Sequence, residues 1–107
     1  MKLEIYGKNY NPSDSLKAIT EKKCAKLNRR LSKDMDAVVR FTVTFENDKY
    51  TTDVTVLTRG QTYRAEETGD NPFDNVDIVI PRLLGQMRKQ KDIRIRGNKG
   101  EAKEYAD

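Results

Sequence analysis

The 107 residues are 36% hydrophobic and 36% charged, with a net charge of +4, one cysteine and no histidine. That length suits one domain with a modest core, and a lone cysteine without histidine excludes Cys/His catalysis, ordinary zinc sites and an internal disulfide framework. No apolar run approaches the roughly 20 residues of a membrane span, and Met1-Lys2-Leu3-Glu4 opens without the apolar stretch of a secretory signal, so a cytoplasmic protein is expected.

In chain order, residues 2–6 (KLEIY) alternate as a short strand with Leu3 and Ile5 on one face. Ser13 is suited to cap a helix, with Asp14 in the first turn where the dipole favours an acid. Leu16, Ile19/Thr20, Cys24, Leu27 and Leu31 recur at spacings of three and four, which predicts a single helix of about five turns with one apolar stripe. Residues 38–46 (VVRFTVTFE) alternate, placing Val39, Phe41, Val43 and Phe45 on one side. Asn47-Asp48 makes a tight turn into 49–58 (KYTTDVTVLT), whose core face is Tyr50, Thr52, Val54 and Val56. Arg59-Gly60 turns again into 61–67 (QTYRAEE), with Tyr63 and Ala65 inward. Asn71-Pro72 then starts a helix, with Phe73, Val76, Ile80, Leu83, Leu84 and Met87 as its apolar stripe. Pro81 should kink this helix and Gly85 weaken it. Past Asp92 the periodicity is lost, so residues 93–107 read as a flexible tail or linker after a domain of residues 1–92. The order β-α-β-β-β-α predicts an α+β two-layer sandwich, a four-stranded sheet with two helices on one face.

Charge is segregated along the chain. Residues 1–33 carry nine Lys/Arg against three acids, residues 34–77 four against ten, and residues 78–107 eight against four. Lys22, Lys23, Lys26, Arg29 and Arg30 crowd the second half of the first helix, and Arg82, Arg88, Lys89 and Lys91 the second helix toward its end. Neighbours three or four apart share a helical face, so helices packed side by side would merge these cations into one ridge. Fixed cations facing phosphates gain affinity by releasing condensed counterions. The bland alternative is a solvated face with cations near helix C-termini, where the dipole favours them. No aromatics recur in a base-reading pattern on an exposed strand, and for Tyr6, Tyr10 and Tyr63 packing is the better reading. Any RNA binding then depends on shape and phosphate. The acids Glu66, Glu67, Asp70, Asp74 and Asp77 match no metal-loop spacing, and Cys24 lies on the apolar stripe as a small hydrophobe. No nucleotide loop or nucleophile elbow is present. These residues predict no enzyme, no cofactor, no metal and no small-molecule substrate.

The element order, the stretch LKAITEKKCAKLNRRL and the stretch RAEETGDNPFDNVDIVIPRLLGQMRKQK resemble the ribosome hibernation promoting factor family, which includes the translation inhibitor protein Y. The resemblance covers nearly all of residues 2–92. It implies a domain that binds the small ribosomal subunit and its ribosomal RNA near the decoding centre, occupying the mRNA path and the tRNA anticodon ends during stress or stationary phase. Lys23, Lys26, Arg82, Lys89 and Lys91 match basic places in the motif, whereas Lys22, Arg29, Arg30 and Arg88 rest more on the charge reading. Pro81 stands where the family usually has a charged residue and Gly85 where it has a basic one, which implies one phosphate contact fewer. Arg94, Arg96 and Lys99 would partly compensate. The family has short forms and long forms with a dimerisation domain, and this chain fits either a short form or the first part of a long one. A generic double-stranded RNA-binding module and a protein-interaction module are the alternative functions.

Overall fold

The computed structural model describes the backbone of residues 1–99 and the side chains of residues 1–88. The elements are β1 (Lys2–Lys8), α1 (Asp14–Lys23), α2 (Ala25–Arg30), β2 (Val38–Glu46), β3 (Lys49–Thr58), β4 (Gln61–Gly69) and α3 (Pro72–Lys99). The strands form one sheet in the order β1-β2-β3-β4. β1 runs parallel to β2, because the helical segment between them carries the chain back, and the remaining pairs are antiparallel hairpins. The helices cover one face, so the α+β two-layer sandwich expected from the element order is the observed fold.

Alternation along the strands decides which face is covered. Val39, Phe41 and Val43 of β2 and Thr52, Val54 and Val56 of β3 are buried, and the core they form includes Leu16 of α1, Leu27 of α2, Leu31 just after it, and Val76, Val79, Ile80 and Leu83 of α3. Phe45 departs from the expected core face. It lies at the hairpin end beyond the helices and is 36% exposed, its ring tilted against Tyr50 at 4.8 Å, while Tyr50 meets Tyr10 edge-on at 5.2 Å. Both hairpins close with two residues at positive φ, Asn47 (55°) and Asp48 (61°) in the first, Arg59 (49°) and Gly60 (75°) in the second. This is the turn whose twist matches the flanking strands.

The expected single first helix is divided at Cys24. Ser13 caps α1 by accepting from the Leu16 N–H at 3.1 Å. One turn before the break, the Thr20 hydroxyl donates back to the Leu16 carbonyl at 2.7 Å, a bond that tends to bend helices. The Cys24 N–H is then shared between the carbonyls of Thr20 and Glu21, which tightens the last turn, and α2 resumes at Ala25. The apolar stripe runs across the break, so Leu16, Cys24, Leu27 and Leu31 all stay buried.

At the start of α3, Asn71 Oδ1 accepts from the Phe73 N–H at 2.8 Å. Asn75, absent from the predicted apolar stripe, is 1% exposed, and its Nδ2 donates to the Tyr50 carbonyl (3.0 Å) and the Thr52 hydroxyl (3.3 Å). Those bonds offset the cost of burying an amide. α3 continues without interruption through Pro81 and Gly85 and past Asp92 to Lys99, so the loss of apolar periodicity at Asp92 does not mark its end. Farther along, Gln86 presents its carboxamide to the open edge of β4, accepting from the Arg64 N–H at 3.3 Å and donating to the Arg64 carbonyl at 2.7 Å. Arg82 donates to the Glu66 carbonyl at 2.7 Å. Side chains of α3 thereby occupy edge groups that would otherwise template pairing with another chain.

Candidate nucleic-acid interface

Burial of the stripe on α1 and α2 forces Lys22, Lys23, Lys26, Arg29 and Arg30 outward, and all five are exposed. A groove of about 680 Å³ runs between this wall and α3. Lys22, Lys23, Lys26 and Arg29 line one side, Ile80, Pro81 and Leu84 the other. It continues into a second hollow of about 630 Å³ at the end of the sheet, through the shared residues Lys26, Arg29 and Leu84. Arg30, Lys33 and Arg59 add further cations there, above a partly apolar floor that includes Tyr63 and Met87. The whole is an open furrow with a cationic wall facing a largely apolar one that carries Asp77, a shape that suits a polyanion better than a small molecule.

The opposite face of the sheet is different in charge. Glu4 pairs with Arg40 at 2.8 Å and Asp53 pairs with Arg64, across neighbouring strands. The hydrogen bond from Arg40 holds the Glu4 carboxyl below its ordinary pKa. Threonines fill much of the rest of that face, so its charges are largely balanced within the fold and the unbalanced cations lie on the helical side.

The structure separates the nine residues singled out from the sequence. Lys22, Lys26, Arg29 and Arg30 share the furrow, and no salt bridge links them to a carboxylate among the described residues. Lys23 also lines it, but its ammonium bridges to Asp77 at 2.6 Å and ties α1 to α3. Arg82 leaves the expected ridge altogether. Two positions before Leu84 in a 3.6-residue period it points to the far flank of α3, where it pairs with Glu67 at 2.9 Å beside its bond to the Glu66 carbonyl. Half-exposed pairs of this kind contribute at most about 1 kcal/mol. Arg88 is exposed and follows Leu84, which lines the furrow, by four positions along α3. The side chains of Lys89 and Lys91, and of Arg94, Arg96 and Lys99, lie outside the described residues.

Lys33 and Arg59 also line the furrow, although neither belongs to the two basic helix segments. One signal for Arg59 was available, an arginine at the first position of a two-residue turn that favours Asn, Asp or Gly. The carboxylate that holds this region together is Asp34. Its Oδ2 accepts from the Thr58 hydroxyl (2.6 Å) and the Arg59 N–H (3.1 Å), and its Oδ1 from the Asp36 N–H (3.0 Å). These bonds, the one from Thr58 first, hold the Asp34 carboxyl below its ordinary pKa.

No cluster of metal-ligating side chains occurs among the described residues, and no helix among them is long and apolar enough to cross a membrane. Cys24 is 1% exposed, and burial, aided by Glu21, pushes its thiol from 9.0 up to about 12. A thiol so raised favours the folded state while protonated. Its contribution holds below the ordinary value and is lost as pH rises toward about 12. The folded protein is therefore expected to resist a thiol-specific reagent at about pH 8 and to react stoichiometrically once denatured, as read by thiol titration.

A family model described as Sigma 54 modulation protein / S30EA ribosomal protein matches residues 3–95. A protein of Staphylococcus aureus (strain COL) described as ribosome hibernation promotion factor is 32% identical over 92 residues, covering 85% of this chain and 48% of that protein. The chain thus spans about half the length of that relative. Among solved structures, a ribosomal subunit interface protein from Coxiella burnetii superimposes with a TM-score of 0.76 at 23% identity, covering 85% of this chain and 98% of that one. The Thermus thermophilus Protein Y N-terminal domain gives a TM-score of 0.70 at 23% identity, covering 83% and 98%.

Proposed function

The chain belongs to the Sigma 54 modulation protein / S30EA ribosomal protein family, and from that membership we propose that it is a ribosome-binding hibernation factor, without enzymatic activity, acting in the cytoplasm. It docks its basic helices on small-subunit ribosomal RNA near the decoding centre, and by occupying the mRNA and tRNA sites it idles the ribosome under stress or in stationary phase. The observation that carries this reading is the continuous cationic furrow from Lys22 to Arg59, set on the side opposite a charge-balanced sheet face. The description of the Staphylococcus aureus relative supports the hibernation part of it. Inhibition is steric: a domain held by phosphates through Lys22, Lys26, Arg29 and Arg30, with Arg88 and the neighbouring Lys89 and Lys91 following on α3, excludes other ligands from the space it fills.

Sedimentation with small subunits across a salt series tests the proposal. Each phosphate contact adds about −0.7 to −0.9 to the slope of log affinity against log salt, so roughly five contacts cost on the order of a hundredfold between about 50 and 200 mM salt. Competition by mRNA or tRNA is expected as well. Retention of the protein in the free fraction at low salt would refute the proposal, and equal affinity for a plain RNA duplex would replace it with general double-stranded RNA binding.

A further inference from the structure

The second hairpin turn carries a residue that its backbone disfavours. Arg59 sits at φ 49°, in the left-handed region that costs a residue with a Cβ and no local capping group roughly 1 kcal/mol or more. The first hairpin supplies an internal control. It closes with the same two-residue geometry and fills it with Asn47 and Asp48, residues that tolerate that region. An arginine in place of such residues weakens the turn, which leaves its side chain as the feature to explain.

That side chain stands where the furrow ends. Arg59 lines the hollow together with Lys26, Arg29, Arg30 and Lys33, and Asp34 is the one acid lining it among the described residues. Asp34 is already committed to three donors, and through Thr58 and the Arg59 N–H it fastens the hairpin turn to the loop after α2. Among the described residues the Arg59 guanidinium donates one bond, at 3.2 Å, to the Lys33 carbonyl. A guanidinium has five N–H donors in a planar fork, so that bond orients the group and leaves most of its donors to a ligand.

We propose that Arg59, held by Asp34, is an RNA-binding residue outside the helices, clamping a backbone phosphate of the bound RNA between the β3–β4 turn and Lys33. The inference rests on the ribosomal RNA reading above and extends the contact from the helices to the sheet's end. Asp34 is a positioning residue: it touches no RNA and acts through the turn it anchors. Its sign is unusual, because deleting an acid from a polyanion-binding surface should by charge alone tighten binding, whereas loss of the anchor weakens it.

Small-subunit binding by the full chain, measured over a salt series with thermal melts alongside, tests the clamp. Arg59→Asn is expected to raise Tm by a few degrees, since it relieves the turn, while lowering affinity about five- to tenfold and reducing the salt slope by about one. Arg59→Lys keeps the charge and should retain the slope. Asp34→Ala should weaken binding, and the Asp34→Ala/Arg59→Asn pair should bind no worse than Arg59→Asn alone. If the unaltered chain binds and Arg59→Asn matches it in affinity and slope, the clamp is wrong while the ribosomal reading stands. Tighter binding by a folded Asp34→Ala variant would likewise overturn the positioning role. No binding by the unaltered chain removes the ribosomal reading itself.

Discussion

Replacing Lys22, Lys26 and Arg29 together by glutamate is expected to lower affinity for small subunits by about a thousandfold or more. Hydrogen bonds involving charged groups contribute roughly 1.5 kcal/mol or more each, and three of them removed exceed the approximately 4 kcal/mol that corresponds to three decades. The reversed charges add repulsion. Stability should hardly move, because all three side chains are exposed and no salt bridge joins them to a carboxylate among the described residues. Lys2→Glu with Lys8→Glu, on the far side of the sheet, is the comparison that separates site from net charge. Charge for charge, that pair should cost little affinity. Equal losses from the two sets, measured by co-sedimentation at one salt concentration, would mean that only the overall field matters.

The largest effect on the fold is expected from Phe41→Ala, a loss of about 3–5 kcal/mol. Phe41 is 1% exposed in an inner strand, paired in register with Ile5 on one side and Val54 on the other. Its removal leaves a cavity that the flanking strands are poorly placed to collapse into. Domains of this size have total stabilities of about 5–15 kcal/mol, so Tm should fall by more than about 10 °C. Phe45→Ala, four residues on in the same strand and on the same alternating face, should cost only about 1 kcal/mol, because that ring is 36% exposed and rests mainly on Tyr50. Denaturant melts of the two variants would show whether burial or strand pattern governs the cost; equal losses would contradict this account of the core.

Much of the fold is legible without coordinates. Strands β2 and β3 begin and end where their alternation begins and ends, and Ser13 and Asn71 stand at the helix starts they were expected to cap. The cations of α1 and α2 follow in the same way, because a stripe of Leu16, Cys24, Leu27 and Leu31 that must face the sheet leaves Lys22, Lys26, Arg29 and Arg30 only the solvent side. All of this is local: a period of 3.6 or 2 places each residue on a face of its own element.

Relations between elements are not local. The period of α3 sets Arg82 and Arg88 on different flanks, but nothing in it says that Arg82's flank would meet Glu67 on β4. That contact exists only once the helix has a strand on one flank and α1 on the other. The bridge from Lys23 to Asp77 and the anchoring of Arg59 by Asp34 likewise join residues far apart in the chain, and the exposure of Phe45 follows from where the helices lie on the sheet. Amino-acid order alone therefore determined the elements, their apolar faces and a cationic character for the helices. Which cations share one furrow, and that a hairpin turn completes it, was decided by packing, since only tertiary contact brings separate periodicities into a common frame.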